Sequence, residues 1–213
     1  TIFTQASSSS RVFFDSLSQK SLWEKKLQRP PLVSELIVEE EEHSIEGEYL
    51  LGREPTWKDI QGGLAAEREY EEDLRRLADA QLEKSEGPRP VVVLAGTAGV
   101  GKSTAMMRLG LYLTARGIEC SFTNSDLDVS PRDLRSQASL GDLPQVVLID
   151  DADRFGAEAS LLARDLQRAE NSPLIVLALR SGRVERVSDR LKILGVDHEE
   201  LVVPRLTDAD ITA

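Results

Sequence analysis

One cysteine occurs in 213 residues. Cys120 has no partner for an internal disulfide, so the chain is not a disulfide-held scaffold. A reduced, cytoplasmic setting is expected, with the thiol buried and inert in its apolar stretch. Positive charge is also short: 26 Lys and Arg face 37 Asp and Glu, a formal net charge of -11. Sequence-independent nucleic-acid binding needs basic surface that displaces counterions, so nucleic acid is not an expected partner. No apolar run approaches the roughly 20 residues that span a bilayer, and a membrane partner is not expected. The N-terminus also lacks a basic start followed by an apolar core, the pattern of a secretory signal. What is present is 40% apolar content, enough for one α/β domain with a real core and some additional segment.

Residues 1–45 differ from the rest. They hold a serine run (Ser7 to Ser10), a possible short helix over Val12 to Leu27 stopped by Pro30-Pro31, and an acidic run from Glu39 to Glu42. This stretch reads as a linker from something upstream, partly docked on a main domain covering 46–213. Both ends read as cut. The chain starts at Thr1, and Thr207 with Asp210 resembles a helix start with no helix after it.

Within the main domain, Leu64 to Lys84 has helical apolar spacing at Leu74, Leu77, Ala78 and Leu82, with Glu71–Arg75 and Glu72–Arg76 as expected ion pairs. Beyond Pro90 apolar strands alternate with helices. Strands are expected at Val91 to Ala95, Ile118 to Thr123, Val146 to Ile149, Leu174 to Leu179 and Glu200 to Val203. Helices are expected at Ser103 to Arg116 with Gly117 at the C-cap, after the capping box Ser130-Pro131-Arg132-Asp133, at Ala157 to Glu170, and at Val184 to Leu194. Such alternation predicts a three-layer α/β fold around a mainly parallel five-stranded sheet, with an irregular or helical N-terminal segment.

The sharpest signal is Gly96-Thr97-Ala98-Gly99-Val100-Gly101-Lys102-Ser103-Thr104, which fits G-x-x-x-x-G-K-[ST]. At ordinary residue frequencies a chance match in this length is on the order of one in a hundred. It also follows an apolar strand and opens a helix, as its mechanism requires. Glycines let the backbone curl so that its N–H groups converge on phosphate oxygens, and the helix adds the positive end of its dipole. Lys102 is expected to reach the β- and γ-phosphates, Ser103 to ligate Mg²⁺, and Thr104 to contact the α-phosphate. The domain is thus expected to be a P-loop nucleotide-binding unit that takes ATP with Mg²⁺.

Val146 to Ile149 runs into Asp150-Asp151, a hydrophobic strand ending in acids. A parallel strand delivers its C-terminal end to the edge where ligands of open α/β sheets sit. Asp150 is the expected Mg²⁺ contact, through water, and Asp151 the residue that orients or deprotonates the attacking water. Asp153 competes for that role, its plainer use being to cap the helix that follows. Arg180, at the end of the Leu174 strand, is placed to sense the γ-phosphate. Asn124 and Asp126 end the second strand near the same face and are expected to shape a loop.

Together GTAGVGKST, VVLIDDAD and Leu51-Gly52-Arg53-Glu54 resemble the ATPase module of STAND proteins, the signal-transduction NTPases related to AAA+ ATPases. The "GRE" element in such proteins packs beside adenine, which implies that role for Gly52 and Arg53. LALRS, ending at Arg180 and Ser181, is similar to their sensor strand. Tyr49 to Ile60 also looks like segments that join an N-terminal effector to the ATPase in bacterial STAND proteins, many of them anti-phage sensors. The resemblance implies an ATPase switch within a larger signalling protein, contacting other domains of that protein and forming a homo-oligomer on activation. Two alternatives share the phosphate loop. One is an AAA+-type ATPase acting on nucleic acid, which the acidic balance disfavours. The other is a small-molecule kinase, for which the three arginines between Arg183 and Arg190 would have to supply a lid.

Overall fold

A computed structural model of the chain describes residues 31–41, 55–84, 87–124, 133–135, 143–169 and 171–205. The expected features at 12–27, at Gly52 and Arg53, at Asp126, at 130–132 and at Thr207 to Asp210 lie outside the described residues. Among the described residues the elements run α1 (Val33–Glu41), α2 (Trp57–Gln61), α3 (Glu69–Leu82), β1 (Val91–Gly96), α4 (Lys102–Ala115), β2 (Cys120–Thr123), β3 (Val146–Ile149), a 3-10 turn (Ala152–Phe155), α5 (Ala157–Gln167), β4 (Leu174–Arg180), α6 (Ser181–Ile193) and β5 (His198–Val202). The five strands form one sheet in the order β2-β3-β4-β1-β5, every neighbouring pair parallel.

The sheet is covered on both faces, which is why its inner strands are apolar at every position rather than at alternate ones. Val92 and Leu94 of β1 face a core built with α3 and α4, whereas Val91, Val93 and Ala95 face the core under α5 and α6. Leu148 and Val147 of β3 divide in the same way. Each fully buried aliphatic side chain stabilises the fold by about 1.5–3 kcal/mol relative to exposure. Edge strand β5 is only half buried and carries Glu199 and Glu200, charges that discourage pairing with another chain.

At the opposite edge the chain before α1 closes β2. Leu32 forms an antiparallel bridge with Ser121, and the Phe122 N–H donates to the Pro31 carbonyl at 3.2 Å. Val33 is fully buried. It seats against α4 at Gly110, where an added Cβ would stand 3.1 Å from Val33 Cγ2 and 3.4 Å from Trp57 Cη2. Trp57 in turn meets Phe122 edge-on at 5.1 Å. Thr56 and Asp59 form a reciprocal capping box that fixes the start of α2.

The long helix expected from Leu64 is two elements. Gly63 takes φ +71°, residues 64–68 are not helical, Arg68 is extended, and α3 starts at Glu69. One expected ion pair forms, Arg76 to Glu72 at 3.3 Å. Arg75 instead pairs with Glu72 and Glu67. Glu71 is buried and pairs with Arg108 of α4 at 3.2 Å, because it lies on the face that α3 packs against α4. Burial pushes its carboxyl above the ordinary range, with Arg108 pulling the other way. Cys120 is buried, which pushes its thiol up and leaves it unreactive. Among the described residues no helix is long and apolar enough to cross a membrane.

Candidate nucleotide site

The strand order decides what meets what. β4 lies between β1 and β3, so the loop after β1, the end of β4 and the acids after β3 line up along one edge. Gly96 and Arg180 are register partners across β1 and β4. The phosphate loop leaves β1 and enters α4 through Gly99 and Gly101, at φ +76° and +88°, conformations a side chain would strain. Gly101 is also the N-cap of α4, so the first turn of that helix opens directly on the loop.

Lys102 is mostly buried, and its Nζ donates to the Thr97 carbonyl across the loop at 2.8 Å. Burial holds its ammonium below the ordinary lysine value, while the carboxylates of Asp150, Asp151 and Asp153 oppose that shift and Arg180 adds to it. The Ser103 side chain hydrogen-bonds to the Asp150 carboxylate. Asp150 is buried, and the Asp151 N–H donates to its Oδ1 at 2.9 Å. Burial raises the Asp150 carboxyl above its ordinary value against those two hydrogen bonds and the Lys102 charge. A hydroxyl beside a carboxylate is a hard oxygen donor pair, the kind that suits Mg²⁺ held jointly with phosphate and water. No group of three or more His, Cys, Asp or Glu that would cage a metal unaided occurs among the described residues.

Asp151 has φ +46°, the one positive φ outside glycine among the described residues. Aspartate tolerates this region better than most side chains, and such strain is held where the surrounding structure requires it. Its Oδ2 stands 3.9 Å from both Arg154 Nε and Arg180 Nη2, so the carboxylate lies between two guanidiniums at the sheet edge. Arg180 is about half exposed at that point. Lys102, Ser103, Asp150, Asp151 and Arg180, picked from three separate stretches of sequence, therefore converge.

A family model for the novel STAND NTPase 5 group matches residues 47–192. The chain belongs to the novel STAND NTPase 5 family. This STAND NTPase is accordingly a nucleotide-binding and nucleotide-hydrolysing module. Its similarity to solved structures is at low identity. The AMPPCP-bound DnaA of Aquifex aeolicus is 13% identical, with a TM-score of 0.44, over 69% of this chain and 49% of that one. The Thermotoga maritima RuvB Holliday junction branch migration motor is 19% identical, with a TM-score of 0.48, over 70% and 48%. A chain of the E. coli MS115-1 HORMA:CdnC:Trip13 complex is 18% identical, with a TM-score of 0.48, over 71% and 65%. The STAND NTPase chain thus spans about half the length of the DnaA and RuvB chains it matches. No curated protein matches the sequence.

Two expectations for the STAND NTPase site change. Asp153 does not cap α5: the N-cap of that helix is Gly156, with no side-chain cap, and the Asp153 Oδ1 is buried with no hydrogen-bond partner. Arg183, Arg186 and Arg190 do not overhang the phosphate loop. They line a cavity of about 280 Å³ between α5 and α6 with Asp153 and Ser160, and no residue of the loop borders it. Sequence reasoning also missed Arg68 and Tyr70, which reach the loop from the start of α3. Arg68 Nη1 donates to the Val100 carbonyl at 2.9 Å, and the Tyr70 hydroxyl donates to the Gly101 carbonyl at 3.0 Å.

Proposed function

We propose that this STAND NTPase module binds ATP with Mg²⁺ and acts as a nucleotide-controlled switch in a larger signalling protein. The observation that carries the reading is the convergence of Lys102, Ser103, Asp150, Asp151 and Arg180 on one edge of the parallel sheet. The backbone of Gly96 to Gly101 wraps the phosphates, with Thr97, Ala98 and Val100 supplying N–H groups between the glycines. Lys102 leaves the Thr97 carbonyl for the β- and γ-phosphates, whose charge offsets the cost of its burial. Ser103, with Asp150 through water, would hold Mg²⁺, which would neutralise phosphate charge and orient the terminal group, and Thr104 contacts the α-phosphate. Asp151 positions the attacking water, and Arg180 reads the γ-phosphate from the neighbouring strand.

Adenine selection falls to the Gly52-Arg53 element, and its assignment rests on the resemblance to other STAND proteins. The same resemblance, extended to residues 49–60, supports a role as the relay of a defence sensor that couples ATP state to an upstream effector and to self-assembly. The position of Arg183, Arg186 and Arg190 away from the loop argues against a kinase lid. The test is calorimetric titration of ATP, ADP and GTP with Mg²⁺ into the chain and into Lys102→Ala. Adenine-nucleotide binding that the substitution abolishes, with the melting temperature retained, is the expected result. Equal binding of ATP by the variant would refute the site, and equal affinity for GTP would refute the adenine assignment.

A further inference from the structure

We propose that Arg68 is a positioning residue that ties the phosphate loop to the chain leaving β5, so that the two segments hold one another in place and nucleotide affinity depends on the tie. Its place in α3 first marks it. Arg68 is the N-cap, with extended backbone at φ -117° and ψ 149°. That position favours Ser, Thr, Asp or Asn, whose oxygen accepts a free helix N–H, and a guanidinium has no acceptor to offer. The helix start is instead served by Glu71, which accepts from the Arg68 N–H at 3.3 Å.

The guanidinium goes elsewhere. Nη1 donates to the Val100 carbonyl at 2.9 Å and to the Pro204 carbonyl at 3.2 Å, while Nη2 donates to Pro204 at 3.2 Å and to Arg205 at 3.4 Å. One planar fork thereby joins two segments about a hundred residues apart in sequence. Lysine, a single point donor, does not reproduce this geometry. Tyr70 supports the fork: its ring lies under the guanidinium, 5.2 Å from centroid to Cζ, and its hydroxyl holds the next carbonyl of the loop, Gly101. Burial keeps that phenol protonated and therefore a donor.

The joined segments already touch on their inner side. The Val203 N–H donates to the Ala95 carbonyl at 2.7 Å. A Cβ on Gly96 would stand 3.0 Å from Val203 Cβ and 2.8 Å from Val100 Cγ2, so both valines close on the first glycine of the loop. Val203 seats the base of the loop and Arg68 ties its crest to the two residues that follow. A change in the loop on nucleotide binding is then transmitted to Pro204 and Arg205, and displacement of that chain reaches the loop.

The affinity part rests on the loop being the nucleotide site, and the exchange part does not. The experiment compares wild-type chain with Arg68→Ser and Arg68→Lys by amide hydrogen exchange without nucleotide, by ATP titration and by thermal melting. Serine is a better N-cap, so Arg68→Ser is expected to melt at or above the wild-type temperature. Its exchange is expected to quicken about tenfold in both Gly99–Lys102 and Val203–Arg205, with ATP binding weakened about tenfold. Arg68→Lys keeps the charge but not the fork, and is expected to recover only part of each effect. Faster exchange in one segment alone, or in neither, overturns the tie. So does full recovery by lysine, which would reduce the residue to a charge. Wild-type chain that binds no ATP would remove the nucleotide reading, and the exchange comparison would still decide the tie.

Discussion

Gly96→Ala tests whether the phosphate loop is seated as tightly as the geometry requires. The added methyl would meet Val100 Cγ2 at 2.8 Å and Val203 Cβ at 3.0 Å, with Lys102 Cδ at 3.5 Å. Neither valine is free to retreat. Both are buried, Val203 is pinned by its 2.7 Å hydrogen bond to Ala95, and the Val100 carbonyl is held by Arg68. Overpacking of this kind costs about 1–3 kcal/mol, which for a domain of this size lowers the melting temperature by about 2–12 °C. Gly99→Ala is the contrasting case. Its added methyl meets nothing within 4 Å, but φ is +76°, so only the left-handed backbone is penalised, by about 1–2 kcal/mol. A double-variant cycle separates the two causes. Val100→Ala removes the nearest clashing atom, so Gly96→Ala with Val100→Ala should lose less stability than the two single losses added, by about 1 kcal/mol. Gly99→Ala with Val100→Ala should be additive. Denaturant unfolding supplies the free energies, and ATP titration shows whether the relieved loop recovers its affinity. Strict additivity in the Gly96 cycle would refute the steric account.

Asp151→Asn keeps a side chain that accepts positive φ, so the fold should survive; ATP should still bind while turnover drops at least a hundredfold, the scale of losing general-base assistance. Single-turnover hydrolysis with bound ATP checks it, and turnover at the wild-type rate would move the base role away from Asp151. Asp150→Asn addresses pH. Burial raises the Asp150 carboxyl in the folded chain, so the folded state keeps that proton to higher pH than the unfolded one. The stability this provides is present below the ordinary carboxylate range and is lost as pH climbs through the raised value. The variant should therefore be more stable than wild type once the Asp150 carboxyl ionises, with an advantage that grows as pH climbs from the ordinary carboxylate range through the raised value, and should lose Mg²⁺-dependent ATP binding. Melting curves across that range check the first part; a variant less stable than wild type at neutral pH would show that the Ser103 and Asp151 hydrogen bonds outweigh burial.

The sheet was legible because burial on both faces writes itself into sequence as uninterrupted apolar runs, and β1, β3 and β4 are such runs. β5 was faint for the converse reason: an exposed edge strand that carries Glu199 and Glu200 has little apolar pattern to display. The start of α3 was misplaced because spacing at Leu74 and Leu77 is helical whether the helix begins at Leu64 or Glu69. What ends it at Glu69 is tertiary: the Ala65 carbonyl accepts from Arg108, and the Arg68 side chain leaves for the loop. The same distinction divides the site. The phosphate loop is contiguous, and Asp150 and Arg180 stand at the ends of apolar strands, so all could be found by reading along the chain. Glu71 looked like half of a surface pair with Arg75 and is a buried partner of Arg108, because pairing rules for an isolated helix say nothing about the neighbour it packs on.

Arg68 left one trace that could have been read. It stands three residues before Glu71 at a helix start, where the capping pattern calls for a side-chain oxygen that accepts from the helix N–H groups, and it has none. Asp151 is the corresponding case in backbone form, an aspartate in the left-handed region at the end of β3, where a glycine would relieve the strain. Both residues break a local rule, and both touch the chain around the candidate nucleotide site. Local rules are kept where stability alone decides the residue and are broken where a second requirement competes. If that holds here, Arg68→Ser should improve the helix and weaken the loop in one substitution, and opposite signs for the two effects are what a purely structural arginine would not produce.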